Sequence, residues 1–352
     1  MRVTANQVTF VRLLLLPVPI AMIYQGGTAW MLGALAVYTL LGLTDAVDGM
    51  LARRYGSTPV GALLDPIVDK IFLVAAYGPM ADIGWLPIAF LSWIFVRELG
   101  VTFLRTIALE EHFEFRTTLL AKLKTTVQMA GAGFALLIWL FPDRATILPI
   151  LWTAAGFAAL PAAASILRGR RPGWRATAGV ALITLIAVGR MAFDRDRALT
   201  GLFAAILGLT LYTGAEYLWG MRSVLARRFS ARPLDALRAV ALACVLPFLW
   251  LPNLAFEGAP IVVLLGVVAA ELAIGGLDNS LAQSGRPRGP WSDVVRATVQ
   301  GAAGIGIAEL LRHDLDPVYL WGVGWLALFV TLSDFVVRLF HNYDAFSNET
   351  AS

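Results

Sequence analysis

The sequence predicts an all-α, polytopic membrane bundle, and three observations carry that prediction. The chain is 58% hydrophobic and only 15% charged, where soluble domains hold roughly 45–50% apolar and 25% charged residues. Mean hydropathy is +0.72, and windows of about 20 mostly apolar residues, the length that crosses hydrocarbon, recur from one end to the other. Loops rich in Lys and Arg alternate with loops nearly free of them. Backbone cannot stay unpaired in lipid, so the spans should be helices. The short alternating segments of a transmembrane barrel are not seen.

Taken in order, the expected spans are 7–24, 29–52, 61–80, 84–106, 119–141 and 146–168. A second set follows at 173–191, 197–221, 234–252, 258–276, 291–311 and 317–340. In the first span Arg12 and Pro17 interrupt the apolar run and no A-x-A-like site follows, so a retained helix is expected rather than a cleaved leader. Arg53 and Arg54 close the second span, and Arg105, Arg116, Lys122 and Lys124 flank the loop between the fourth and fifth. The runs "RGRRPGWR" (168–175), "RSVLARRFSARP" (222–233) and "GRPRGP" (285–290) continue the alternation, while "QGGTA" and "PNLAFEGA" lack Lys and Arg. By the positive-inside rule both termini are expected in the cytoplasm. The net charge of +4 then reflects orientation and attraction to anionic lipid heads, not a nucleic-acid footprint. Cys244 is the single cysteine, which rules out a disulfide framework or a Cys-ligated zinc site within one chain.

The stretch "LTDAVDGMLARRYGSTPVGALLDPIVDK" (43–70) sets Asp45, Asp48, Asp65 and Asp69 between apolar runs. Carboxylates are costly there and tend to mark function. At about 100° per residue, Asp45, Asp48, Gly49 and Ala52 share an arc of one helix, and Gly61, Asp65 and Asp69 share a face of the next. Gly49, Ala52 and Gly61 leave room for bulky groups near the backbone. Four facing carboxylates repel unless a cation neutralises them, and oxygen donors without Cys or His favour Mg²⁺, Mn²⁺ or Ca²⁺ over zinc.

Asp45-x2-Asp48-Gly49-x2-Ala52-Arg53, followed by Gly61-x3-Asp65-x3-Asp69, resembles the signature of the CDP-alcohol phosphotransferase family. One departure is visible: seven residues separate Arg53 from Gly61, where eight is usual. The resemblance implies a six-helix membrane core that exchanges CMP on a CDP-linked lipid for an alcohol and usually forms a homodimer. It implies that Asp45, Asp48, Asp65 and Asp69 hold Mg²⁺ or Mn²⁺, two ions, and that Asp69 takes the proton from the attacking alcohol. Asp48, Gly49, Ala52, Arg53 and Gly61 would bind CDP. The active site would face the cytoplasm of a bacterial-type membrane.

For the acceptor, "NQVTFVRLLLLP" (6–17), "VRELGVTFLR" (96–105) and "KLKTTVQM" (122–129) are similar to the phosphatidylglycerophosphate synthase subfamily. Asn6, Thr9, Arg12, Pro17, Arg97, Glu98, Arg105, Lys122, Lys124, Thr125 and Gln128 stand at matching positions, while Ala121 departs from the usual Gly. This implies CDP-diacylglycerol as donor and glycerol 3-phosphate as acceptor. A dianionic phosphate calls for several cations, here Arg105, Lys122 and Lys124; the plainer reading makes them topological anchors. Arg97 and Glu98, side by side within an apolar span, read as an internal ion pair. The alternatives are another acceptor (inositol phosphate or a polyol) and a lipid-handling transporter of twelve spans.

The resemblance ends near residue 165, so domains are expected at 1–170 and 171–342, with a disordered tail at 343–352. Glu216, Glu271, Glu309 and Asp334 in the second half read as structural, with no basic partner pattern beside them. "GLDNSLAQSGRPRGPWSD" (276–293) reads as a polar loop. "GAAGIGIAE" (301–309) reads as close helix packing, not a dinucleotide loop.

Overall fold

The computed structural model describes residues 5–55, 59–113, 118–237, 239–240, 261–286, 290–313 and 316–342. At 5–6, 45–55, 59–66, 122, 175, 290–291 and 317 it describes the backbone alone. Among the described residues every regular element is a helix. The chain is an integral membrane protein. Among the described residues seven helical stretches, from Gln7–Gln25 to Val318–His341, are by length and composition long and apolar enough to cross a bilayer.

The first expected span is two helices, α1 (Ala5–Leu15) and α2 (Pro17–Gln25). Pro17 offers no N–H and its ring crowds the carbonyl four residues back, which breaks the run at Leu16. Next come α3 (Thr28–Tyr55), α4 (Pro59–Asp82), α5 (Ile88–Glu110) and α6 (Leu119–Leu140), then α7 (Arg144–Leu167) and α8 (Trp174–Ala192). Side chains cap two of these: Thr118 accepts from the Ala121 N–H at 3.3 Å, and Asp143 from Thr146 N–H at 3.1 Å. The last four are α9 (Arg195–Ala231), α10 (Ile261–Gln283), α11 (Pro290–Arg312) and α12 (Pro317–His341). The other expected spans fall largely on helix, though 84–106 begins four residues ahead of α5, and 258–260 and most of 234–252 lie outside the described residues.

The contacts divide the chain into two compact units that interleave along the sequence. Unit 1 holds residues 1–20, 40–116 and 210–352; unit 2 holds 21–39 and 117–209. In unit 2, α7 packs on α8. The buried Arg190 of α8 donates to the carbonyl oxygens of Pro142 (2.8 Å) and Phe193 (3.0 Å), covering backbone acceptors at helix ends.

Unit 1 is centred on α10, which packs on α4, α5 and α12. A helix apolar on every side belongs in a core, and Leu264, Val267, Val268, Leu272 and Leu277 of α10 are all buried. By contrast α12 turns Trp325, Phe329, Val337 and Phe340 outward, as a lipid-facing helix does. The stretch 276–293, expected as a polar loop, is instead largely helical: helix continues to Gln283 and resumes at Pro290. Leu277 and Leu281 keep the apolar stripe going against Ile67 of α4, and the Asp278 charge on the same turn is met by Arg338 at 2.8 Å.

The later acidic residues have the partners that the sequence reading did not supply. Arg296 of α11 bonds Glu271 of α10 (Nη2 to Oε2, 3.2 Å), Asp293 (3.0 Å) and Asp334 of α12. Arg338 bonds Asp278, Asp293 (2.6 Å) and Asp334 (3.0 Å), and Gln300 donates to Glu271 (2.6 Å) and Thr331 (2.9 Å). Glu271 and Asp334 are thus structural, but as members of a charged network. Glu309 is exposed beside Arg312 and His313, and Glu216 is exposed. Residues 301–309 lie inside α11, where Gly306 faces Val323 of α12.

Candidate active site

The signature falls on two consecutive helices. Asp45, Asp48, Gly49, Ala52 and Arg53 lie in the last turns of α3, and Gly61, Asp65 and Asp69 in the first turns of α4. Side chains of residues 45–66 lie outside the described residues, so of the four aspartates the side-chain setting of Asp69 alone is on view.

That setting was not visible in the sequence. The guanidinium of Arg12, 3% exposed on α1, reaches both signature helices. Its Nε donates to Thr44 Oγ1 at 3.3 Å, one residue before Asp45, and its Nη1 to Asp69 Oδ1 at 3.4 Å. Thr44 is fixed in turn by donating its own hydroxyl to the Leu41 carbonyl at 2.6 Å. Asp69 is 36% exposed, so its carboxylate is held on one side by a buried cation and still meets the surroundings on another. Beside it, Lys70 donates to Thr102 Oγ1 of α5, and Thr102 donates to the Glu98 carbonyl at 2.6 Å.

The expected cations divide between the units. Arg105 is exposed on α5 in unit 1. Lys122 and Lys124 belong to α6 in unit 2; Lys124 is 5% exposed, and the side chain of Lys122 lies outside the described residues. Arg97 and Glu98 form the expected internal pair at 3.2 Å. Arg97 also donates to Thr213 of α9 (3.1 Å), with Tyr217 beneath it at 6.0 Å, partners more than a hundred residues away in sequence. The α5 terminus is held to α9 as well: buried Arg228 bonds Glu110 at 2.5 Å, Glu111, and Asp235 at 2.5 Å.

Among the described residues, which include the side chain of Asp69 alone of the four aspartates, no group of three or more His, Cys, Asp or Glu is arranged to hold a metal ion. The donor types nonetheless suit a hard divalent cation: the signature supplies carboxylates from two helices successive in the chain.

Fold and site together define the class: a helical integral membrane protein whose acidic signature is carried by two successive helices braced from the first. Residues 2–163 match the family model described as CDP-alcohol phosphatidyltransferase. The chain belongs to this family. It is 37% identical over 137 residues to the probable phosphatidylglycerophosphate synthase of Mycobacterium tuberculosis, covering 38% of this chain and 65% of that protein. It is 33% identical over 137 residues to the CDP-diacylglycerol–glycerol-3-phosphate 3-phosphatidyltransferase of Rickettsia bellii, covering 38% of this chain and 74% of that one. The Escherichia coli enzyme of the same description is 29% identical over 137 residues, 37% of this chain and 74% of its own length. The chain thus spans just under two thirds of the mycobacterial relative. No solved structure matches it.

Proposed function

We propose that the chain transfers a phosphatidyl group from CDP-diacylglycerol to a hydroxyl of sn-glycerol 3-phosphate and releases CMP. The observation that carries the reading is the Asp69 carboxylate, partly exposed and held by buried Arg12, on the helix that completes the family signature. The relatives named for this reaction support the acceptor. The hydroxyl oxygen bonds to the phosphorus that carries diacylglycerol; the bond from that phosphorus to the bridging oxygen breaks, and CMP leaves with the electron pair. Asp69 receives the hydroxyl proton. Asp45, Asp48, Asp65 and Asp69 hold Mg²⁺ or Mn²⁺, two ions, which when bound neutralise the pyrophosphate and withdraw electrons from phosphorus. Asp48, Gly49, Ala52, Arg53 and Gly61 receive the CDP group, the small residues admitting it close to the backbone. Arg105, Lys122 and Lys124 bind the acceptor phosphate.

The alternation of basic loops supports an active site on the cytoplasmic face, where a CDP head group stays in water while its acyl chains remain in the leaflet. Membrane lipids are the surroundings of the outward apolar faces, and the homodimer implied by the family belongs to the same proposal. Residues 1–170 bear the family chemistry, and residues 171–342 are an added membrane part.

The test is CMP release by full-length protein in detergent, given CDP-diacylglycerol, Mg²⁺ and glycerol 3-phosphate, with inositol phosphate and glycerol in parallel. Release is expected with glycerol 3-phosphate and should stop when EDTA removes the metal. Release with another alcohol keeps the chemistry and replaces the acceptor; none with any acceptor returns the transporter reading. In the same assay Arg12→Ala is expected to lower turnover by roughly 10- to 100-fold by freeing the Asp69 carboxylate from its geometry, and Arg12→Lys by less. Unchanged turnover in Arg12→Ala would detach Arg12 from the reaction.

A further inference from the structure

Helix α10, from the half of the chain without family likeness, lies against α4 and α5, two of the helices that bear residues assigned to the reaction. Its contacts fall beside those residues. On α4, Ile67 stands midway between Asp65 and Asp69, and its side chain occupies the space opposite Gly276 of α10. A Cβ on Gly276 would sit 2.5 Å from Ile67 Cγ1, a distance real Cβ atoms do not show. On α5, Thr106 follows Arg105 and donates its hydroxyl to Asn279 Oδ1 of α10 at 2.6 Å. Ile67 and Thr106 are buried, and both contacts lie within one compact unit.

We infer that α10 is a positioning element for the transfer: Gly276 sets how deeply α4 seats, Asn279 sets α5, and together they fix the spacing of Asp69 from Arg105. The inference rests on the proposed function. It assigns the added half a part in the synthase itself, because the acid–base group and the acceptor's phosphate cation are carried by helices that meet on α10. The physical basis is the stiffness of the contact. Ile is branched at Cβ and nearly fixed in rotamer on a helix, so a larger residue at 276 moves the helix instead of the side chain. A displacement of order 1 Å between reacting groups is enough to cost about a hundredfold in rate.

The experiment is steady-state CMP release by full-length variants in detergent, varying each substrate in turn. Gly276→Val is expected to lower kcat at least about tenfold, and Ile67→Ala, which opens the facing space, should bring the double variant back to within about threefold. Asn279→Leu, the milder change, is expected to raise KM for glycerol 3-phosphate about fivefold while KM for CDP-diacylglycerol holds. Adding Thr106→Val should cost nothing more, since both ends of the bond are then gone. A purely structural role would lower the amount of active protein without separating the two KM values or showing rescue. Wild-type kinetics in folded Gly276→Val, or equal changes in both KM values for Asn279→Leu, overturn the inference. A wild type that releases no CMP with any acceptor refutes the proposed reaction and the inference with it, a result distinct from an active wild type matched by its variants.

Discussion

Asp69→Asn is expected to abolish CMP release while leaving the protein folded. The substitution keeps the volume and one acceptor oxygen, so the 3.4 Å contact from Arg12 Nη1 has somewhere to go. What it removes is the negative charge and the capacity to accept a proton. If Asp69 is the base, the loss should be roughly 10²- to 10⁴-fold, larger still where the same oxygen serves a metal. Stability should move little, because the carboxylate is 36% exposed and a charge in contact with its surroundings contributes little net folding energy. The measurement pairs initial rates with thermal unfolding in the same detergent. A variant that keeps a tenth of wild-type turnover would remove Asp69 from the base role and leave another aspartate of the signature to fill it.

Much of the fold was legible because the bilayer imposes a simple length rule, and α3 to α9 lie where apolar windows placed them. The signature was legible because its spacing follows helical periodicity. What the sequence concealed was pairing across long separations. Arg12 and Asp69 are 57 residues apart, and nothing in either neighbourhood announces the other. The sequence read residues 277–283 as loop because Asp278, Asn279 and Ser280 look polar, yet Arg338, sixty residues on, lets that turn stay buried. One signal was there to be used. Asp293-x2-Arg296 and Asp334-x3-Arg338 have the i,i+3 and i,i+4 spacings of helical ion pairs. Charges so spaced inside apolar spans point to an internal network. The Arg97–Glu98 pair was readable from adjacency, whereas its Thr213 partner was not.

That network is the site of the second large effect: Arg296→Met should be among the most destabilising single changes in the chain. Arg296 is 4% exposed and bonds Glu271, Asp293 and Asp334, themselves 6%, 3% and 15% exposed. With Asp278, four carboxylates there face two guanidinium groups, so the cluster is already short of positive charge. Removing Arg296 leaves Arg338 alone among them, and breaking a buried pair by deleting one partner costs roughly 3–5 kcal/mol. Total stabilities of about 5–15 kcal/mol make that a large share. The expected readout is a collapse in the yield of monodisperse protein and a strongly lowered midpoint in a thermal unfolding assay. Glu309→Gln, at an exposed pair 3.9 Å from Arg312, serves as the control and should shift nothing measurable. The consequence extends to the reaction. Glu271 and Asp278 sit on α10, whose Gly276 lies against Ile67 of α4, so loosening one side of that helix should unseat the other. Any Arg296→Met protein that survives purification should therefore show the Gly276→Val kinetics in milder form. A variant that melts with the wild type would mean that the carboxylates do not depend on Arg296 and that the network does not brace α10.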